Sequence, residues 1–107
     1  MKTKRHCIAL VTAPDLKTAR SLANQVLAAK LAACVNLVPK IESHYWWQGK
    51  LEQGNETLLV PEAPRRNLPE LGRKLVGLRP YATPEFVVGG LEAGNRRYLD
   101  WLSASVG

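Results

Sequence analysis

The sequence predicts an α+β chain on the ferredoxin-like βαββαβ plan: a four-stranded antiparallel sheet with two helices on one face, and an extra helix at the C-terminus. Three observations carry this reading. Apolar runs rich in β-branched or aromatic residues recur near positions 6–12, 33–47, 51–60 and 86–88 and read as strands. Amphipathic segments separate the first run from the second and the third from the fourth. Finally, 107 residues with 46% apolar side chains leave room for one domain that buries a core without disulfide or metal staples. A single domain over 1–107 is expected, with residues 1–5 flexible.

The first strand is His6 to Thr12, a short apolar run closed by Ala13-Pro14-Asp15. Asp15 can cap a helix by accepting from its first exposed amides. Leu16, Ala19, Leu22, Ala23, Val26, Leu27 and Leu31 then follow at helical spacing, with Lys17, Arg20, Asn24 and Lys30 on the polar side. Ala33 to Val38 reads as the second strand. It continues past Pro39 through Ile41 to Trp47 as one long, bent strand. Gln48-Gly49-Lys50 supplies a turn, and Leu51 returns through Glu52-Gln53-Gly54-Asn55 to Val60 as a hairpin with a polar, mobile tip. Pro61 cannot donate to a ladder, so the third strand is expected to end or bulge close to Val60. Asn67 is placed as cap of a second helix from Leu68, with Pro69 in its first turn, Glu70 reaching back, and Leu68, Leu71, Leu75 and Leu78 on one side. Phe86-Val87-Val88 is the last strand and Asn95 to Leu102 the C-terminal helix. One helical layer cannot cover both sheet faces, so the open face or the hairpin carrying Tyr45, Trp46 and Trp47 is expected against another subunit.

Charge and composition narrow the function. Lys and Arg number 15 against 9 Asp and Glu, a net charge of +6. Lys2, Lys4 and Arg5 are assigned to a frayed end, and Arg65-Arg66, Arg73-Lys74 and Arg96-Arg97 to a solvated face. No aromatic platform or helix-turn-helix spacing accompanies the charge, so nucleic acid is not expected as a partner. The apolar runs fall short of the roughly 20 residues of a spanning helix, and no signal-type segment follows the basic N-terminus, so a cytoplasmic protein is expected. Cys7 and Cys34 have no CxxC partner and read as buried thiols in a reducing compartment. No serine has a Gly-x-Ser-x-Gly context, no glycine-rich phosphate loop follows the first strand, and His6 and His44 lack triad-like partners. Glu42, Glu52, Glu56, Glu62 and Glu85 are expected mostly in solvent. Among soft or borderline donors, Cys34 is the candidate for copper(I) or zinc.

Several motifs stand in one order and spacing. They are Thr12-Ala13-Pro14-Asp15, Leu31-Ala32-Ala33-Cys34-Val35-Asn36, Tyr45-Trp46-Trp47 followed by Gln48-Gly49-Lys50, Arg79-Pro80-Tyr81-Ala82-Thr83-Pro84-Glu85, and Tyr98-Leu99-Asp100-Trp101-Leu102. From about His6 to Leu102 they resemble the CutA divalent-cation-tolerance family. The resemblance implies a ferredoxin-like subunit in a homotrimer built by the hairpin strands and shaped like the PII signalling proteins. It further implies a cytoplasmic, non-enzymatic role linked to tolerance of copper and other divalent cations. A ligand cleft or trimer interface would be lined by Tyr45, Trp46, Trp47, Tyr81, Glu85 and Trp101, with Cys34 as metal donor. No cofactor is required; copper or another divalent cation is the ligand this implies. The alternative is a PII-like sensor of a small ligand that binds no metal.

The sequence departs from that family at defined places. Arg79 stands where a histidine usually precedes Pro-Tyr, and Val11 stands where a cysteine can precede Thr-Ala-Pro. Copper(II) is therefore expected to bind no better than in the micromolar range, and copper(I) only through Cys34. Pro61-Glu62-Ala63-Pro64 replaces an apolar run ending in Lys-Thr, and Gly89-Gly90 closes the last strand where a bulky residue and proline are common.

Overall fold

In the computed structural model, strands β1 (His6–Ala13), β2 (Cys34–Trp47), β3 (Lys50–Pro64) and β4 (Phe86–Gly90) and helices α1 (Leu16–Ala28), α2 (Leu68–Gly77) and α3 (Arg96–Ala104) follow the expected order. The structure describes residues 2–77 and 85–107; Leu78, Arg79 and Tyr81 lie outside them. The strands form one sheet in the order β2-β3-β1-β4 with every neighbour antiparallel, so β1 and β3 are central.

Strand alternation divides the sheet into two faces. Ala9, Val11, Ala13, Leu59 and Ala63 point to one side. There they pack with Ala19, Leu22 and Val26 of α1 and Leu71 and Leu75 of α2, joined by Val35, Leu37 and Phe86. The opposite side carries His6, Ile8, Leu10, Cys34, Asn36, Val38, Leu58, Val60, Glu62 and Val87. Helix α3 covers only one end of that side: His6 Nε2 lies 2.8 Å from Ser103 Oγ, and Leu99 and Leu102 are buried. Leu10, Val38 and Val87 stay exposed.

Helix ends follow local chemistry. Asp15 Oδ1 accepts from the Thr18 amide at 2.7 Å and Asn95 Oδ1 from the Tyr98 amide at 3.3 Å. The Thr18 bond also holds the Asp15 carboxyl below its ordinary range. Helix α1 closes in a Schellman turn, with Lys30 N–H on Leu27 O and Leu31 N–H on Val26 O, both at 3.0 Å. Lys30 occupies the left-handed position, φ 60°, that glycine usually fills. The Asn67 side chain donates to the Lys30 and Leu31 carbonyls at 3.4 Å, tying the start of α2 to the end of α1.

The strand end expected near Pro61 needs correction. The third strand does not end at Val60. It runs to Pro64, with Cys7 opposite Ala63 and His6 opposite Pro64. The missing Pro61 amide appears as a gap: the β1–β3 register passes from Ile8↔Glu62 to Val11↔Leu59 without a shift, while Pro61 stays opposite Val35 on β2. Pairing on both flanks therefore carries the strand across the proline. The hairpin tip is polar, as expected, but its flanks are not. Gln48 (φ 50°) and Gly49 (φ 78°) form a two-residue turn between paired Trp47 and Lys50. Trp46 and Leu51, opposite each other beside it, are 73% and 65% exposed. The bend expected at Pro39 is a β-bulge between Val38 and Ile41, with Lys40 at φ 59°.

Candidate functional site

Cys34 opens β2 opposite Glu62 of β3, so both side chains rise from the sheet face that α1 and α2 leave uncovered. The bland expectation of a buried thiol holds for Cys7, whose Sγ donates to Ala63 O at 3.3 Å, but not for Cys34, which is half-buried. Alternation is the reason, since Val35 takes the core side and its neighbour must face away. Asn36, two residues on, lies on the same side. Its Nδ2 donates to Glu62 Oε2 at 3.2 Å, and its Oδ1 is 3.9 Å from Cys34 Sγ. The Tyr98 hydroxyl of α3 donates to Glu62 Oε1. Tyr98 and Trp101, one helical turn apart, bring their rings to 5.4 Å between centroids.

The electrostatics follow from this packing. Burial, reinforced by the Glu62 charge, pushes the Cys34 thiol up from its ordinary value, with the Tyr98 hydroxyl opposing. The hydrogen bond to Glu62 pushes the Tyr98 phenol well up, because ionising it would set two anions side by side. Cys34 is therefore a protonated thiol near neutrality, and an ion that takes it as ligand must displace the proton. A phenol with a raised folded pKa contributes stability that is present below its unfolded pKa of about 10 and is lost as pH rises through the folded value. The expected result is that one of the three tyrosines ionises late in an alkaline ultraviolet titration. Glu62→Gln should return it toward the others; a late transition that persists in Glu62→Gln would refute this assignment.

Among the described residues, those singled out in the sequence do not meet within one chain. Trp101 stands beside Tyr98 at the Cys34 end of β2, whereas Tyr45, Trp46 and Trp47 stand at the hairpin end. With 14 residues in β2 and a rise of about 3.3 Å each, these ends are about 40 Å apart. Glu85 is exposed and precedes Phe86, which pairs with Val11, away from Cys34. Tyr81 lies outside the described residues. His44 is exposed on the arm, 3.5 Å from Glu42 Oε2. Among the described residues no three His, Cys, Asp or Glu side chains gather as a metal-binding group. Sequence reasoning missed Asn36, Glu62 and Tyr98 as site residues. Glu62 was expected in solvent, and only strand register reveals it as the neighbour of Cys34.

Comparison with known proteins agrees with this architecture. The family model described as CutA1 divalent ion tolerance protein matches residues 7–105. A Thermus thermophilus protein named Divalent-cation tolerance protein CutA is 39% identical over 100 residues, covering 94% of this chain and 97% of the relative. An Escherichia coli O139:H28 protein of the same name is 43% identical over 99 residues, covering 92% and 88%. Among solved structures, CutA1 from Oryza sativa superposes with a TM-score of 0.93 at 36% identity, covering 98% of this chain and 96% of that one. The Archaeoglobus fulgidus structure, titled a periplasmic divalent cation tolerance protein CutA, gives 0.92 at 33% identity, covering 95% and 99%. With the four-stranded antiparallel sheet, its helices and the chain-long match in agreement, this chain belongs to the CutA1 divalent ion tolerance protein family.

Proposed function

We propose that the chain works in the cytoplasm as a non-enzymatic homotrimer in the tolerance of divalent cations, copper above all, and that Cys34 is its soft donor to the ion. The observation that carries the metal part is the half-buried Cys34 thiol beside a carboxylate fixed by Asn36 and Tyr98. One chain brings one thiol and one carboxylate to this place. That donor set does not close a shell around an ion wanting many oxygen ligands; a low-coordinate copper(I) suits it better. The relatives' shared name, divalent-cation tolerance protein, supports the role.

Assembly is supported by what stays uncovered. Leu10, Val38 and Val87 lie exposed on one sheet face, and the β2–β3 arm carries Trp46 and Leu51 into solvent. Such an apolar surface on a small domain marks a protein contact. No helix among the described residues is long and apolar enough to cross a membrane.

The test of the metal reading is a titration against a competing chelator. Copper(I) is expected to bind and to weaken at least tenfold in Cys34→Ser, with copper(II) no tighter than micromolar. A tight copper(II) site that survives Cys34→Ser would overturn it.

A further inference from the structure

The antiparallel pairing His6↔Pro64 brings two separate basic stretches together, placing Lys4-Arg5 beside Arg65-Arg66. These residues are hydrogen-bonded into the fold, although the first pair was expected on a frayed end. Lys2 bridges Ala93, Thr3 N–H donates to Glu92 O at 2.8 Å, and Arg65 N–H donates to Arg5 O at 2.6 Å. A cleft of 380 Å³ opens there, lined by Lys4, Arg5, Pro64, Arg65 and Arg66. Among the described residues, every ionisable group in its lining is a cation and none of the four has a carboxylate within 4.0 Å. Arg5 also lines a neighbouring cleft of 480 Å³ with Lys2 and Arg96, where Asp100 is the one acid among the described residues.

The guanidinium groups are positioned, not merely near. Arg65 Nε donates to Lys4 O at 3.0 Å, which leaves the Nη groups available. Arg66 Nη2 reaches Ser103 O at 3.4 Å. Gly90 makes room for Arg65: a Cβ there would fall 2.5 Å from Nη2. The absence of a side chain at Gly90 thus lets the fork lie against the edge strand.

We propose that this cleft binds a phosphate chain, either inorganic oligophosphate or the triphosphate of a nucleotide. Four unneutralised cations around one small concavity repel each other, and a multivalent anion removes that repulsion at all of them together. Guanidinium forks match phosphate oxygens two at a time. Among the described residues no aromatic side chain lines the cleft to stack on a base, so the phosphates are what it recognises. The site shares no residue with the Cys34 cluster, so it stands or falls independently of the metal reading.

Calorimetric titration of the full chain, without added metal and at fixed salt, tests this with tripolyphosphate, ATP, orthophosphate and a single-stranded oligonucleotide. Tripolyphosphate and ATP should bind with affinities within a few-fold of each other, and orthophosphate at least tenfold more weakly. Arg65→Ala combined with Arg66→Ala should weaken tripolyphosphate at least tenfold. Gly90→Ala, whose added methyl meets only the guanidinium end of Arg65, should weaken it several-fold while the melting temperature is kept. The proposal is overturned if tripolyphosphate does not bind, or binds the arginine double variant as well as the parent. ATP far tighter than tripolyphosphate would overturn it in favour of base recognition, and an oligonucleotide tighter than both would overturn it in favour of nucleic acid.

Discussion

Replacing Trp46 and Trp47 together with alanine is expected to break the assembly into single chains and to lower its melting temperature sharply. The arm from Ile41 to Asn55 is a two-stranded ribbon beyond the bulge, and such a ribbon is marginal in water on its own. Its faces both carry apolar residues: Trp46 pairs with Leu51 on one, while Tyr45 and Trp47 take the other. In a single chain Trp46 is 73% exposed, an arrangement that makes sense when a neighbour covers it. Truncating a buried tryptophan to alanine costs about 3–5 kcal/mol, and a ring of three repeats that loss at each contact. If the arm were simply solvated, the same substitutions would change stability by about 0.5 kcal/mol or less. Light scattering and thermal melts at matched protein concentration separate the two outcomes. A double variant as large and as heat-resistant as the parent would show that the arm does not assemble the protein.

Leu59→Ala is expected to destabilise the fold by about 2–5 kcal/mol. Leu59 is fully buried on central strand β3, opposite Val11 on one side and Leu37 on the other. It packs in the cluster that joins α1 and α2 to the sheet through Leu22, Val26, Leu71 and Leu75. Its loss opens a cavity where both layers meet, and the flanking strands cannot collapse into it without breaking register. Denaturant unfolding at one fixed protein concentration measures the effect, since the proposed assembly would make stability depend on concentration. A loss below about 1 kcal/mol, within the range of an ordinary substitution, would mean that the core is not organised around this residue.

The parts of this fold that were legible in the sequence are those set by neighbours along the chain. Asp15 and Asn95 cap helices through bonds to amides three residues on, and apolar spacing identified the buried faces of α1 and α2. The Pro61 expectation failed because it weighed one missing donor without the two ladders that hold the strand on either side. Lys30 and Lys40 occupy left-handed backbone positions without the glycine that would have marked them.

The candidate site was hidden for a related reason. Counting back from the Gln48-Gly49 turn, where Trp47 faces Lys50, an uninterrupted hairpin would set Cys34 opposite Ala63. The bulge between Val38 and Ile41 shifts the register by one residue and sets it opposite Glu62. That single residue decides which side chains share the open face. Tyr98 then arrives from α3, thirty-six positions along the chain from Glu62. The basic cleft is equally long-range, since Arg5 and Arg65 meet only because β1 and β3 run antiparallel side by side.

Sedimentation equilibrium of the unmodified protein is the most direct test of the claim that the apolar residues exposed on the open sheet face and the tryptophan arm serve assembly. A single species of three times the chain mass is expected across a wide range of concentrations. A stable single chain over that range, with Trp46 and Leu51 left in water, would contradict it.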